Sequence, residues 1–173
     1  MPRLPAAAAL LCCAALAACS PTFDWREVRI PSTTLKVLLP CKPQSGSRRV
    51  RMGPLPVELQ VTGCEAGGAT FAVLHADLGD PARVDEALAN WNKASLATMK
   101  ARAARVRPFA LPGTTASTSS VRVSASGTDA TGGPVQQEAA FFARGTSIFQ
   151  AVVFSPEPRP QAIQPFFDGL AFE

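Results

Sequence analysis

The chain offers few residues able to make or break bonds. Its 173 residues include one histidine, no tyrosine and five cysteines. His75 stands two positions before Asp77 in the run 70–77, so on a strand both side chains leave the same face. A carboxylate beside an imidazole is the arrangement of a general base. A hydrolase built on it needs a nucleophile, and no Gly-x-Ser-x-Gly occurs. There is no Walker motif, no Gly-x-Gly-x-x-Gly after a strand and no His-Glu-x-x-His. Cys41 and Cys64 with a distant histidine lack a metal-ligand spacing, and no Cys-x-x-Cys is present. The expectation is therefore no catalytic residue, no metal and no cofactor. A lone strand histidine is more often structural, and a hydrolase using His75 is kept as an alternative.

The N-terminus carries a different chemistry. Fifteen of the first eighteen residues are apolar, behind a single Arg3. The run 4–18 has the length of a signal h-region and is short for a membrane span. It ends Leu16-Ala17-Ala18-Cys19. This box resembles that of bacterial lipoproteins: an aliphatic residue, two small residues, then cysteine. The resemblance implies cleavage before Cys19, a diacylglyceryl thioether on its sulfur and acylation of the new amine. An ordinary secretory signal cut after Ala18 is the competing reading. Ser20 in place of Asp leans toward the outer membrane under the enteric sorting rule. The expected location is the cell envelope, lipid-anchored and facing the periplasm. Residues 1–18 are then the signal, 19–33 a lipidated tether and 34–173 a single domain.

If Cys12 and Cys13 leave with the signal and Cys19 is acylated, Cys41 and Cys64 remain as an even pair in an exported chain. A structural disulfide is the leading expectation, with free buried thiols and redox chemistry as the other readings. Arg48, Arg49 and Arg51, with Lys42, form one basic segment and a candidate partner-binding site. Lys100, Arg102, Arg105 and Arg107 form a second. Beyond Arg3 the chain carries 16 basic and 13 acidic side chains. That small excess, outside the cytoplasm, argues against nucleic acid. An anionic membrane surface is physically open to it, and a solvated face is the plainer reading.

Several elements must position these residues. Val28 and Ile30 alternate within the tether as a short edge strand. Leu35, Val37 and Leu39 share one face of a strand that stops at Pro40. Residues 42–47 read as a polar turn and 48–52 as a short strand. Leu55, Val57, Leu59 and Val61 alternate with Pro56, Glu58, Gln60 and Thr62, a half-wet strand. With 70–77 it predicts an antiparallel hairpin. Asp80-Pro81 opens a long helix as N-cap and first residue. Its apolar side is Val84, Ala87, Leu88, Trp91 and Met99, with Lys100, Arg102 and Arg105 near its C-terminal end and Pro108 as its limit. After a loop 109–118 come strands at 120–125, 135–143 and 147–154, the last apolar on both faces and therefore central. A short helix, 161–170, closes the chain with Pro165 in its first turn. The order predicts an α+β domain: an antiparallel sheet of six or seven strands, one long central helix and a short C-terminal helix packed on it.

That order, the opening strand Leu35-Lys36-Val37-Leu38-Leu39-Pro40 and the close Phe167-Asp168-Gly169-Leu170-Ala171-Phe172 resemble the PsbP-like fold. The family's usual Ser in that close is replaced here by Gly169 to Ala171. The Cys41 and Cys64 pair is not general to it. Members mostly dock or assemble, so the resemblance implies a non-enzymatic binding or assembly module whose partners are the membrane and another envelope component. A carrier of a small apolar ligand is the alternative.

Overall fold

The computed structural model describes residues 22–53, 56–157 and 159–173. Cys19 and the box before it lie outside the described residues.

Strands β1 (Arg26–Arg29) and β2 (Leu35–Leu39) open the fold. Three more form a meander: β3 (Gln44–Arg51), β4 (Pro56–Ala66) and β5 (Ala69–Asp77). A single turn of 3₁₀ helix, Pro81–Arg83, leads into α1 (Val84–Thr98). A second meander comprises β6 (Ala103–Pro108), β7 (Val121–Thr128), β8 (Pro134–Arg144) and β9 (Ser147–Ser155). Helix α2 (Pro160–Asp168) and β10 (Ala171–Phe172) close the chain. The main sheet has seven strands in the order β3-β4-β5-β9-β8-β7-β6, every pair antiparallel. Helix α1 carries the chain from β5, beside the central strand β9, to the far edge β6, and the second meander returns it to β5. The α+β class and the seven strands match the sequence expectation.

One face of the sheet packs against α1 through Leu59, Ala76, Leu88, Val123, Phe141 and Val152. The other packs against α2 and a second, three-stranded sheet, β1-β2-β10, which the sequence pattern does not separate from the first. Leu35, Val37 and Leu39 of β2 and Phe166 of α2 are fully buried there against Phe71, Phe142 and Phe149. The period of two in β4 and the apolar run of β9 thus do what their patterns imply: β4 lies next to an edge and β9 at the centre.

For the segment 19–33 the sequence leaves docking on the domain and a place at the membrane interface equally open; its described part docks, with Phe23, Trp25 and Val28 packed on the core and Ile30 buried within it. Three expectations are corrected. Residues 44–47, expected as a turn, extend β3, pairing from Gln44↔Gly63 to Arg51↔Pro56. Their polar sequence conceals a strand because an edge position leaves them exposed. The long helix stops at Thr98. Lys100 takes the left-handed conformation (φ 48°), its N–H donates to Ala97 C=O, and Ala101 N–H donates to Leu96 C=O. This is a Schellman stop made without glycine. Lys100, Arg102 and Arg105 therefore lie beyond the helix, and Arg105 and Arg107 belong to β6. Finally, Pro165 sits in the second turn of α2. The helix tolerates it because it is short and held by Ile163, Phe166 and Phe167 in the core.

Candidate functional site

The His75–Asp77 pair projects from the sheet face opposite α1, as its spacing requires. Its two side chains are not hydrogen-bonded to each other. Asp77 Oδ1 accepts from Gly79 N–H at 2.9 Å and Thr146 Oγ1 at 2.6 Å. These bonds hold its carboxyl below the usual carboxylate range. The His75 ring is 5 % exposed and stacks on Phe149 with centroids 4.9 Å apart. Neither ring nitrogen has a hydrogen-bond partner among the described residues.

Burial pushes the His75 imidazole below its ordinary value, with Asp77 pulling the other way. A histidine whose folded pKa is depressed stabilises the fold fully above its unfolded value, near 6.5, and progressively less below it. Between pH 7 and 5 the wild-type chain should therefore lose stability, by no more than one proton's worth, about 1.4 kcal/mol per pH unit. The variant His75→Leu should remove that slope in denaturant titrations. An unchanged slope would assign the loss to other groups.

The arginines of β3 are split. Arg48 pairs with Leu59 and shares its face toward α1, whereas Arg49 pairs with Glu58, and Arg49 and Arg51 share the opposite face. They do not converge into one basic site. Cys41 and Cys64 are joined in a disulfide with Cα atoms 5.9 Å apart. The bond ties the end of β2 to β4 and so one sheet to the other.

Three other arginines do converge. Beside β6 and α2 lies a half-open groove of about 1270 Å³. Arg105 and Arg107 of β6 and Arg122 of β7 line it, with Ser124, Glu138 and Gln164. Cross-strand register puts Arg107 directly opposite Arg122, and Arg105 opposite Ser124. Arg122 is 9 % exposed. Its guanidinium lies 3.8 Å from the centre of the Phe167 ring, and its Nε donates to Glu138 Oε2 at 3.4 Å. Burial draws its pKa down, Glu138 opposes that, and Arg107 adds to it. An arginine stays charged regardless. Arg105 and Arg107 are exposed and, among the described residues, have no ion-pair partner.

Like charges directly opposite on neighbouring strands are destabilising. Glu138 compensates Arg122 and leaves Arg107 facing it. Two free guanidinium forks in a concave wall, with Ser124 and Gln164 beside them, suit a carboxylate or phosphate, which a guanidinium grips with paired hydrogen bonds. By sequence pattern Arg105 belongs to a helix end, Arg107 to the second basic segment and Arg122 to a wet strand face. The available signal for the groove is the alternation Arg105-Val106-Arg107, a strand pattern that the helical assignment masks.

Comparison of the chain with protein-family models, curated proteins and solved structures finds no match. The fold defines an α+β domain whose main sheet is covered on both faces, with a basic groove at one edge of that sheet. No helix among the described residues is long and apolar enough to cross a membrane.

Proposed function

We propose that this chain is a lipoprotein of a bacterial cell envelope, anchored through Cys19, facing the periplasm, and acting as a non-enzymatic binding or assembly module. The groove beside β6 is its binding surface, and the ligand group it takes is an anion on another envelope component. The observation that carries the binding surface is the Arg107–Arg122 pair, two like charges held face to face, with Glu138 paired to Arg122 and Asp168 adding a weaker attraction to it. The lipobox Leu16-Ala17-Ala18-Cys19 and the Cys41–Cys64 disulfide support the exported location. Ser20 supports the outer membrane. The element order and the close Phe167–Phe172 support the PsbP-like resemblance and the docking role that goes with it.

The alternatives have less support. A carrier needs space between the layers, and there Phe71, Phe142, Phe149 and Phe166 are fully buried. A hydrolase needs an accessible His75.

The test compares crosslinks formed in intact envelopes. The double variant Arg105→Ser/Arg107→Ser, checked for folding, should lose at least about tenfold of the crosslinked partner, the effect of removing two charge-assisted contacts. The triple variant Arg48→Ser/Arg49→Ser/Arg51→Ser should keep it. Retention by the double variant with loss by the triple would move the site to β3.

A further inference from the structure

We propose that one end of the domain rests directly on the lipid bilayer, with the β4–β5 turn nearest the headgroups. The inference deepens the proposed function and rests on its reading of Cys19 as the lipidated residue.

The observation that carries it is the seating of Thr22–Trp25. Asp24 N–H donates to Pro40 C=O at 2.8 Å. A Cβ built on Gly67 would come 2.8 Å from the Phe23 ring and 3.3 Å from Thr22 Cγ2, so both side chains lie on the turn between β4 and β5. Trp25 meets Phe71 edge-on, centroids 6.2 Å apart, and Phe23 lies 6.0 Å from Trp25. The fold has therefore gripped the chain by Thr22. From there to Cys19 is three residues, a reach of at most about 11 Å even fully extended. A free tether running to residue 33 would reach roughly 50 Å. Acyl chains on Cys19 would leave the Gly67–Gly68 turn within the shorter span of the membrane surface.

Strand register says what else is at this end. Ala66 faces Ala69 across the turn, Thr70 faces Phe154, Gln136 faces Ser155, and Thr128 faces Pro134. Hence the β7–β8 turn, 129–133, lies at the same end of the sheet. The opposite end carries the β8–β9 turn. There Thr115 N–H donates to Ala143 C=O at 2.8 Å, and Gly145 N–H donates to Thr115 Oγ1 at 2.9 Å. The eleven residues of β8 separate the two ends by about 36 Å. Charge at the near end is mixed: exposed Lys42, Lys100 and Arg102 and half-buried Arg159 against exposed Asp24, Glu65, Asp129 and Glu157. The short covalent span, not charge, sets the orientation. A zwitterionic bilayer is accordingly the right probe.

The test uses the full chain processed and acylated in bacteria, then reconstituted into phosphatidylcholine vesicles bearing acceptor dye on the headgroups. A donor dye is placed on Ala130→Cys in the near turn or on Ala116→Cys beside Thr115 at the far end, both exposed positions. Both proteins should float with the vesicles. With the ends about 36 Å apart, energy transfer from residue 130 should exceed that from residue 116 at least about threefold. Equal transfer on floated vesicles overturns the orientation and leaves the lipid reading standing. Chains that stay in solution overturn the lipid reading and the orientation with it.

Discussion

Phe142→Ala should cost the domain about 3–5 kcal/mol, the range for deleting a fully buried aromatic side chain. Phe142 has no exposed surface and stands where the second meander meets the small sheet. Its ring stacks on Phe149 at 5.3 Å, tilts against Phe109 at 5.5 Å and meets Phe172 edge-on at 6.1 Å. Removing it empties a volume bounded by β9, the 109–120 loop and the C-terminal strand together. Those walls cannot collapse independently. Against a total stability of about 5–15 kcal/mol for a domain of this kind, the loss is large enough to read directly from the midpoint of a urea titration. A shift corresponding to less than about 1 kcal/mol would mean that this cluster is not the packed centre of the fold.

Loss of the Cys41–Cys64 bond should be the second large effect. The bridge spans 23 positions of sequence, and closing a loop of that length stabilises by about 3 kcal/mol through the unfolded chain. Its position adds a structural reason. Cys41 comes just after β2 in the small sheet and Cys64 lies in β4 of the main sheet, so the bond restrains the two layers against separation. The variant Cys41→Ala/Cys64→Ala, and the wild-type chain under reductant, should unfold at matching, lower denaturant concentrations. Equal midpoints with and without reductant would contradict a stabilising bridge. So would full thiol labelling of both residues in the denatured, unreduced chain.

Burial decides which elements can be read from the sequence. Val57, Leu59 and Val61 alternate because β4 has one covered face. Ile148 to Val153 are apolar on both faces, Gln150 apart, because β9 is covered on both. Asp80-Pro81 marks the start of the helical segment, and Asp80 Oδ1 does accept from Ala82 N–H. The elements that escape are those without a covered face. Gln44–Ser47 and Ala103–Pro108 are edge strands with every residue exposed, so no buried apolar face marks them, and the short alternation Arg105-Val106-Arg107 is all that 103–108 offers. The end of α1 escapes because Lys100 fills the left-handed position that glycine usually signals. Arg102 and Arg105 carry charges suited to a helix C-terminus, yet they belong to the segment beyond it.

The groove is hidden for a further reason. It exists only because Arg107 comes to lie opposite Arg122 while Phe167, near the end of the chain, moves beneath the guanidinium. Those are contacts between elements distant in sequence, and no local spacing encodes them. The second basic segment, 100–107, is visible as charge, but the groups it faces are not. Conversely, the first segment looks like one site and is divided by the pleat of β3, which sends Arg48 to one face and Arg49 and Arg51 to the other. The docking of Phe23 and Trp25 is equally unmarked, since aromatic residues beside an anchor suit a membrane interface as well as a protein surface.

The proposed function turns on Cys19, and intact mass spectrometry of the mature chain from envelope fractions tests it most directly. The expected result is an N-terminus at Cys19 carrying the diacylglyceryl group, with or without a further acyl chain on its amine. An unmodified Cys19, or a chain in the envelope that still begins at Met1, would contradict it.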